Sequence, residues 1–242
     1  MLASLVSRGF EVEFHGHAEA ILSIDFPQAL EELDHTLCGI ALAVESLVRG
    51  GGGEHELTQG LRHKLATLGW QKHNFEIKKF IDGVERESIS HEVDHVRNFD
   101  HGKVALEIEW NNKDPFFDRD LENFKRLHSE AAISVGIIVT RGTSLQDGLR
   151  AKVLQFAQSR NIQSFQDLIP FGVSPTARQD SLVSRLARNG RTFAEAWAEV
   201  FVSDKFGQAT THWRKLEDRI RRGVGNPCPL LLIGIPETVL TI

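Results

Sequence analysis

Apolar and polar positions change period several times along the chain, and the changes outline an α/β protein. From Glu11 to Asp25 the residues alternate and are rich in β-branched and aromatic types, which predicts one strand or a hairpin. From Pro27 to Val48 the period becomes helical: Leu30, Leu33, Leu37, Ile40, Ala41, Val44 and Leu47 form one stripe, and glycines 50–53 end it. That glycine run reads as a loop between helices or, more sharply, as a hinge for a cleft. Leu57, Leu61, Leu65 and Leu68 predict a helix from about Glu54 to Leu68, closed by Gly69. Extended segments follow at Asn74–Phe80, Ser88–Arg97 and Lys103–Trp110, separated by the turn sequences Asp82-Gly83 and Asp100-His101-Gly102. A helix over Phe117–Ser129 and a nearly all-apolar strand over Ile133–Thr140 complete an order of helix, three strands, helix, strand. Beyond it come helical patterns near Leu145–Ser159, Asp180–Arg188, Phe193–Phe201 and His212–Arg222, then a late strand at Leu230–Ile235. The expected organisation is one domain over residues 1–242, with a core at about 54–140 and a helical part at about 143–242. Ser174-Pro175-Thr176 is a weak candidate for a subdomain edge, and no internal repeat is present.

The chemistry sits on the third extended segment. In Val104-Ala105-Leu106-Glu107-Ile108-Glu109-Trp110 the residues Val104, Leu106, Ile108 and Trp110 share one face, and Glu107 and Glu109 share the other. Their Cα atoms are then about 7 Å apart, from two residues of roughly 3.3 Å each, so both carboxylates reach one ion or one water. The preceding segment, Ser90-His91-Glu92-Val93-Asp94-His95-Val96, supplies Asp94, which a hairpin through Gly102 brings beside Glu107. Taken alone, Glu-Ile-Glu describes the solvated face of a sheet. Its place among other strands, with helices expected on both sides, favours carboxylates gathered in a polar cleft or around a cation, because they repel one another and lose hydration there. A hard divalent ion, magnesium in the usual phosphate chemistry, meets that need. Such a site suits phosphodiester hydrolysis: metal on Asp94 and Glu107, Glu109 orienting or deprotonating the attacking water, and room for a second metal at the leaving oxygen.

Composition adjusts this picture little. The formal net charge of −5 argues against a protein that coats DNA through bulk electrostatics, but not against a nuclease whose basic residues are localised. No apolar run approaches the roughly 20 residues of a membrane span, and the first residues lack a secretory pattern, so a cytoplasmic protein is expected. Cys38 and Cys228 show no paired spacing and read as reduced thiols. His15 and His17 share a face but have no partners at zinc-like spacing, and no nucleophile-elbow sequence supports a hydrolase triad. Asn111, Asn112 and Lys113 directly follow the carboxylate strand, and Arg141 ends the buried strand; these four are the candidate DNA contacts, set against ordinary turn and solvated roles. Arg214, Lys215, Arg219, Arg221 and Arg222 line either a backbone-binding face or a solvated helix interspersed with Glu217 and Asp218.

Glu92-Val93-Asp94, then Ala105 to Asp114, then Phe117-Asp118-Arg119-Asp120-Leu121, resembles the catalytic segment of type II restriction endonucleases of the BglII and BamHI group. The element order from Glu54 to Thr140 is similar to the PD-(D/E)XK nuclease core, and Gly225–Leu230 carries a less specific likeness. The resemblance implies a mixed central sheet flanked by helices and magnesium-dependent cleavage of double-stranded DNA at a short sequence. A homodimer is expected if that sequence is palindromic. Within the family pattern the first acidic position falls on Asp94, with Asp100 as its competitor. The second falls on Glu107, and the position often held by lysine falls on Glu109, as in the BamHI group. A further catalytic acid from the upstream helix falls on Glu56, with Glu54 equally placed; a first-turn glutamate favoured by the helix dipole is the alternative. Rival functions are a repair or defence nuclease with the same site, and a silent DNA-binding protein of the same fold.

Overall fold

The computed structural model describes residues 2–49 and 55–242; the glycine run and Glu54 lie outside them. The elements are α1 (Ala3–Ser7), β1 (Glu11–His15), α2 (Ala18–Ile24), α3 (Pro27–Cys38), β2 (Leu42–Ala43), α4 (Val44–Val48), α5 (Glu56–Thr67), β3 (Gln71–Ile81), β4 (Val84–Phe99) and β5 (Gly102–Glu109). There follow α6 (Phe116–Ser129), β6 (Val135–Arg141), α7 (Thr143–Ser159), a 3-10 turn at Phe165–Phe171, α8 (Ala177–Arg188), α9 (Phe193–Lys205), α10 (Trp213–Arg221), β7 (Leu230–Ile235) and β8 (Leu240–Thr241).

Six strands form one mixed sheet in the order β1-β7-β6-β5-β4-β3. β5, β6 and β7 run parallel, whereas β1 pairs antiparallel to β7 and the β3–β4–β5 series is antiparallel throughout. The parallel centre explains why Val135–Arg141 and Leu230–Ile235 read as unbroken apolar runs: every residue of both strands is buried, since helices cover both faces. On one face Val104, Leu106 and Ile108 pack with Ile137, Val139 and Ile233 under α3, α5, α7 and α9. On the other, Ala105, Ile138 and Leu232 pack under Phe117, Leu121, Phe124 and Leu127 of α6 and Trp213 and Leu216 of α10. Gly136 is required in β6 because a Cβ there would meet the Phe124 ring at 2.4 Å. The mixed α/β architecture is therefore the one expected for a restriction-endonuclease-like core.

Two local expectations of element bounds change. The alternating stretch Glu11–Asp25 is a strand only to His15; the chain reverses at Gly16 and His17, both at positive φ, and Ala18 and Leu22, one helical turn apart, bury α2 instead. Pro27–Val48 is not one helix. It stops at Cys38 because Leu42 and Ala43 pair in parallel with Leu240 and Thr241, a partner about 200 residues away that local periodicity cannot register. Ser174-Pro175-Thr176 leads into α8, with Thr176 and Gln179 forming a capping box. β3 and β4 also extend well past the expected limits. Residues 76–90 pair only with each other, leaving a two-stranded ribbon that projects beyond the sheet with Phe80, Ile81 and Val84 exposed near its tip.

Candidate active site

The hairpin through Gly102 aligns Phe99 with Gly102, Val96 with Ala105 and His95 with Leu106. One step further, Asp94 stands beside Glu107, and its backbone N–H donates to Glu107 Oε1 at 3.3 Å. Asp100 lies at the opposite end of the hairpin, in the turn, away from both glutamates. A bulge refines the position of Asp94. From Gln71 to His73 β3 advances two residues while β4 advances three, from Val96 to Val93, so Asp94 and His95 together face the single residue Lys72. Such bulges re-aim side chains at functional sites. Here Asp94 is turned outward, with its side chain 58% exposed, while Glu107 is only 4% exposed.

Glu107 and Glu109 project from β5 toward α6, as alternation requires, and are joined there by Asp120, which is 1% exposed. The sequence patterns did not single out Asp120, yet a signal was present: it occupies a position on the stripe Phe117, Leu121, Phe124 and Leu127 that α6 buries against the sheet. An acidic residue on a core stripe needs a partner. Arg119 supplies one, its Nε donating to Asp120 Oδ1 at 2.8 Å while its guanidinium reaches to 3.8 Å from Glu109. Asp120 Oδ2 is buried and unpartnered. Asn112 Nδ2 donates to Glu109 Oε2 at 2.8 Å and fixes its plane.

Burial, reinforced by the charges of Asp120 and Asp94, holds the Glu107 carboxyl well above the usual range. Burial and then Asp120 push Glu109 up to about 8. Asp120 is raised by burial as well, with Arg119 opposing the shift. The cluster is therefore short of positive charge, and its donors are all carboxylate oxygens, which fits a hard divalent cation. Among the described residues no three His, Cys, Asp or Glu side chains already converge on one point. Magnesium is commonly held by one or two carboxylates, with water and phosphate oxygens completing its shell, so a converged trio is not required.

The raised carboxyls carry an expected pH dependence of stability. A carboxyl whose folded pKa lies above its unfolded value contributes stability that is fully present below the unfolded value and lost as pH rises through the folded one. For Glu109 that window runs from 4.5 to about 8. Without divalent ions the unfolding midpoint should therefore fall as pH rises through it, and magnesium should raise the midpoint more at about pH 8.5 than at about pH 5.5. Thermal unfolding at both values, with and without magnesium chloride, measures this; a larger gain on the acidic side would show that these carboxylates do not take the ion.

A cleft of about 610 Å3 opens beside the hairpin, lined by His55, Thr58, Arg62, Lys72, Asp94, His95, Trp110, Asn111 and Asn112. It gathers Arg62 and Lys72 near Asp94, the localisation of basic residues that an overall charge of −5 conceals. Asn111 and Asn112 lie on its wall, and Lys113 is exposed next to them in a backbone bridge with Thr210. Two of the expected site residues lie away from this cleft. Glu56 does not face this cleft: helical periodicity turns His55, Thr58 and Arg62 toward it, while Glu56 borders a separate cavity of about 340 Å3 beside Leu42 and Lys64. Arg141 is fully buried. Its guanidinium donates to the Trp110 and Thr211 carbonyls at 2.7 and 2.6 Å and to Gln146 Oε1 and Thr210 Oγ1, both at 2.6 Å, so it braces the ends of β5 and β6 and presents no face to DNA. The basic residues of α10 are likewise paired: Arg214 with Asp147, Lys215 and Arg219 with Asp114, Arg219 also with Asp118, Arg221 with Glu217 and Arg222 with Asp218.

The family model described as restriction endonuclease BglII/BglIII matches residues 10–235. The chain belongs to that family. This restriction endonuclease is accordingly a site-specific deoxyribonuclease acting on double-stranded DNA, and the match takes in the C-terminal helices and β7 as well as the central segment that carried the resemblance. No curated protein matches the sequence. Among the described residues no helix is long and apolar enough to cross a membrane.

Proposed function

We propose that this enzyme is a type II restriction endonuclease that cleaves DNA at the β4–β5 hairpin, with magnesium held by Asp94 and Glu107. The observation that carries the reading is the pairing of Asp94 with Glu107 across the bulged hairpin, with Asp94 lining a cleft that also holds basic and amide side chains and Glu107 buried behind it on the α6 face of β5. When bound, magnesium supplies Lewis-acid stabilisation of the phosphate and lowers the pKa of a coordinated water. The protein groups do the rest. Glu109, oriented by Asn112, accepts the proton of the attacking water once bound magnesium offsets the surrounding negative charge and leaves it ionised. Arg119, held by Asp120, lies beside Glu109 on the far side and offsets part of the buried negative charge. Asn111, Asn112 and Lys113, which border the same strand end, contact the bases and backbone next to the cut. The enzyme works as a homodimer, since one hairpin per chain serves one strand and a two-fold pair serves both strands of a palindrome.

Sequencing the ends of fragments produced from genomic DNA by the purified protein with magnesium tests the proposal. Every end should carry one short palindromic sequence, and chelation should stop the reaction. Ends without a common sequence, or cleavage that survives chelation, would overturn it.

A further inference from the structure

β5 brings two carboxylates to the site and no cation, its one lysine, Lys103, lying at the far end of the strand. A phosphodiester with an attacking oxygen gains negative charge on its non-bridging oxygens, and fixed positive charge aimed at those oxygens is among the largest protein contributions to such a reaction. The neighbouring strands offer an ammonium at the right place. Lys72 is the single β3 residue facing the bulged pair Asp94 and His95, and its Nζ lies 4.0 Å from Asp94 Oδ1 and 2.7 Å from Glu92 Oε1. It lines the same cleft as Asp94 and Asn112, on a side chain still more than half exposed, so a phosphate entering the cleft can take it without displacing protein packing. Its charge is favoured first by the hydrogen bond to Glu92, and also by Asp94 and Glu107.

We propose that Lys72 is a further catalytic residue, donating a hydrogen bond from its ammonium to a non-bridging oxygen of the scissile phosphate, an assignment that rests on Asp94 and Glu107 as the metal-binding pair. No proton is transferred; the lysine stays charged throughout. Glu92 holds the ammonium beside Asp94 until DNA arrives. Lys72 thus provides from a neighbouring strand the positive charge that β5 does not bring to the site.

The test measures cleavage of a cognate duplex with magnesium, and binding of the same duplex with calcium, for Lys72→Ala, Lys72→Arg, Glu92→Gln and Glu107→Ala. Lys72→Ala should lower kcat by about a hundredfold to a thousandfold, in line with removal of one charge-stabilising donor. Its calcium-supported Kd and its thermal midpoint should stay close to wild type, Lys72→Arg should recover part of the rate, and Glu92→Gln, which keeps the ammonium, should retain it. Wild-type cleavage by Lys72→Ala, or an equal loss in Glu92→Gln, would overturn the proposal, the latter because it would mark the ion pair as the cause. Glu107→Ala separates the two levels. If it remains active, the placement of the whole site fails; if it is inactive while Lys72→Ala cleaves normally, only the role of Lys72 fails.

Discussion

Replacing Glu107 with alanine should abolish cleavage while leaving DNA binding in calcium close to that of the wild type. Glu107 is buried on the central strand, receives the Asp94 backbone N–H, and lies within the field of Asp94 and Asp120. Removing its carboxylate takes away one of the two proposed ion ligands. A loss on the order of a thousandfold in kcat/KM, roughly 4 kcal/mol of transition-state stabilisation, is expected. Binding should survive because the cleft that receives the duplex is formed by other residues, among them Arg62, Asn111 and Asn112. The fold should survive as well, since a raised carboxyl pKa means that the ionised glutamate is itself a burden on the folded state. Turnover near the wild-type rate with magnesium would move the active site off this strand.

The second large effect separates Asp94 from Asp100. Asp94→Asn should cut the rate by on the order of a hundredfold or more, whereas Asp100→Asn should remain within about twofold of wild type, as a surface substitution away from the chemistry does. The reason is register. Asp94 stands next to Glu107 at the bulge, and Asp100 belongs to the turn that closes the other end of the hairpin. Single-turnover cleavage assays at saturating enzyme compare the two directly. The reverse order of rates would place the ion at the turn.

The elements that local pattern describes well are those whose burial is uniform along their length. β6 and β7 are readable as central strands because every residue of each is apolar or covered, and β5 because Val104, Leu106 and Ile108 alternate with Glu107 and Glu109. Gly102 and its neighbours also place Asp94 opposite Glu107, since an antiparallel hairpin leaves few registers. The misjudged residues depend on distant partners. Arg141 looks like a strand-end contact, yet its partners Thr210 and Thr211 come from about 70 residues later in the chain. Pro27–Val48 looks like one helix until Leu42 finds Leu240. Glu56 is correctly at the head of a helix, but which face of that helix meets the cleft depends on how α5 packs against β4 and β5, a tertiary fact. Asp120 differs, because its place on the apolar stripe of α6 is visible in the sequence itself and marks it as a buried acid.

The strand order β1-β7-β6 has a consequence for the order of events during synthesis. β1 is made first among the strands, but its partner in the sheet is β7, residues 230–235, which also completes the far side of β6. A nascent chain stopped short of β7 has the β3–β4–β5 series and the β5–β6 pair available, but neither a place for β1 nor a closed apolar layer beneath α6 and α10. Contacts of such long sequence separation form late, because the loop between them must close before any pairing rewards it. The carboxylate hairpin thus becomes part of a finished sheet only after translation has passed residue 235, and a partial chain of a DNA-cutting enzyme emerges with its active strand between β4 and β6 but with the far edge of β6 unpaired and its core still open.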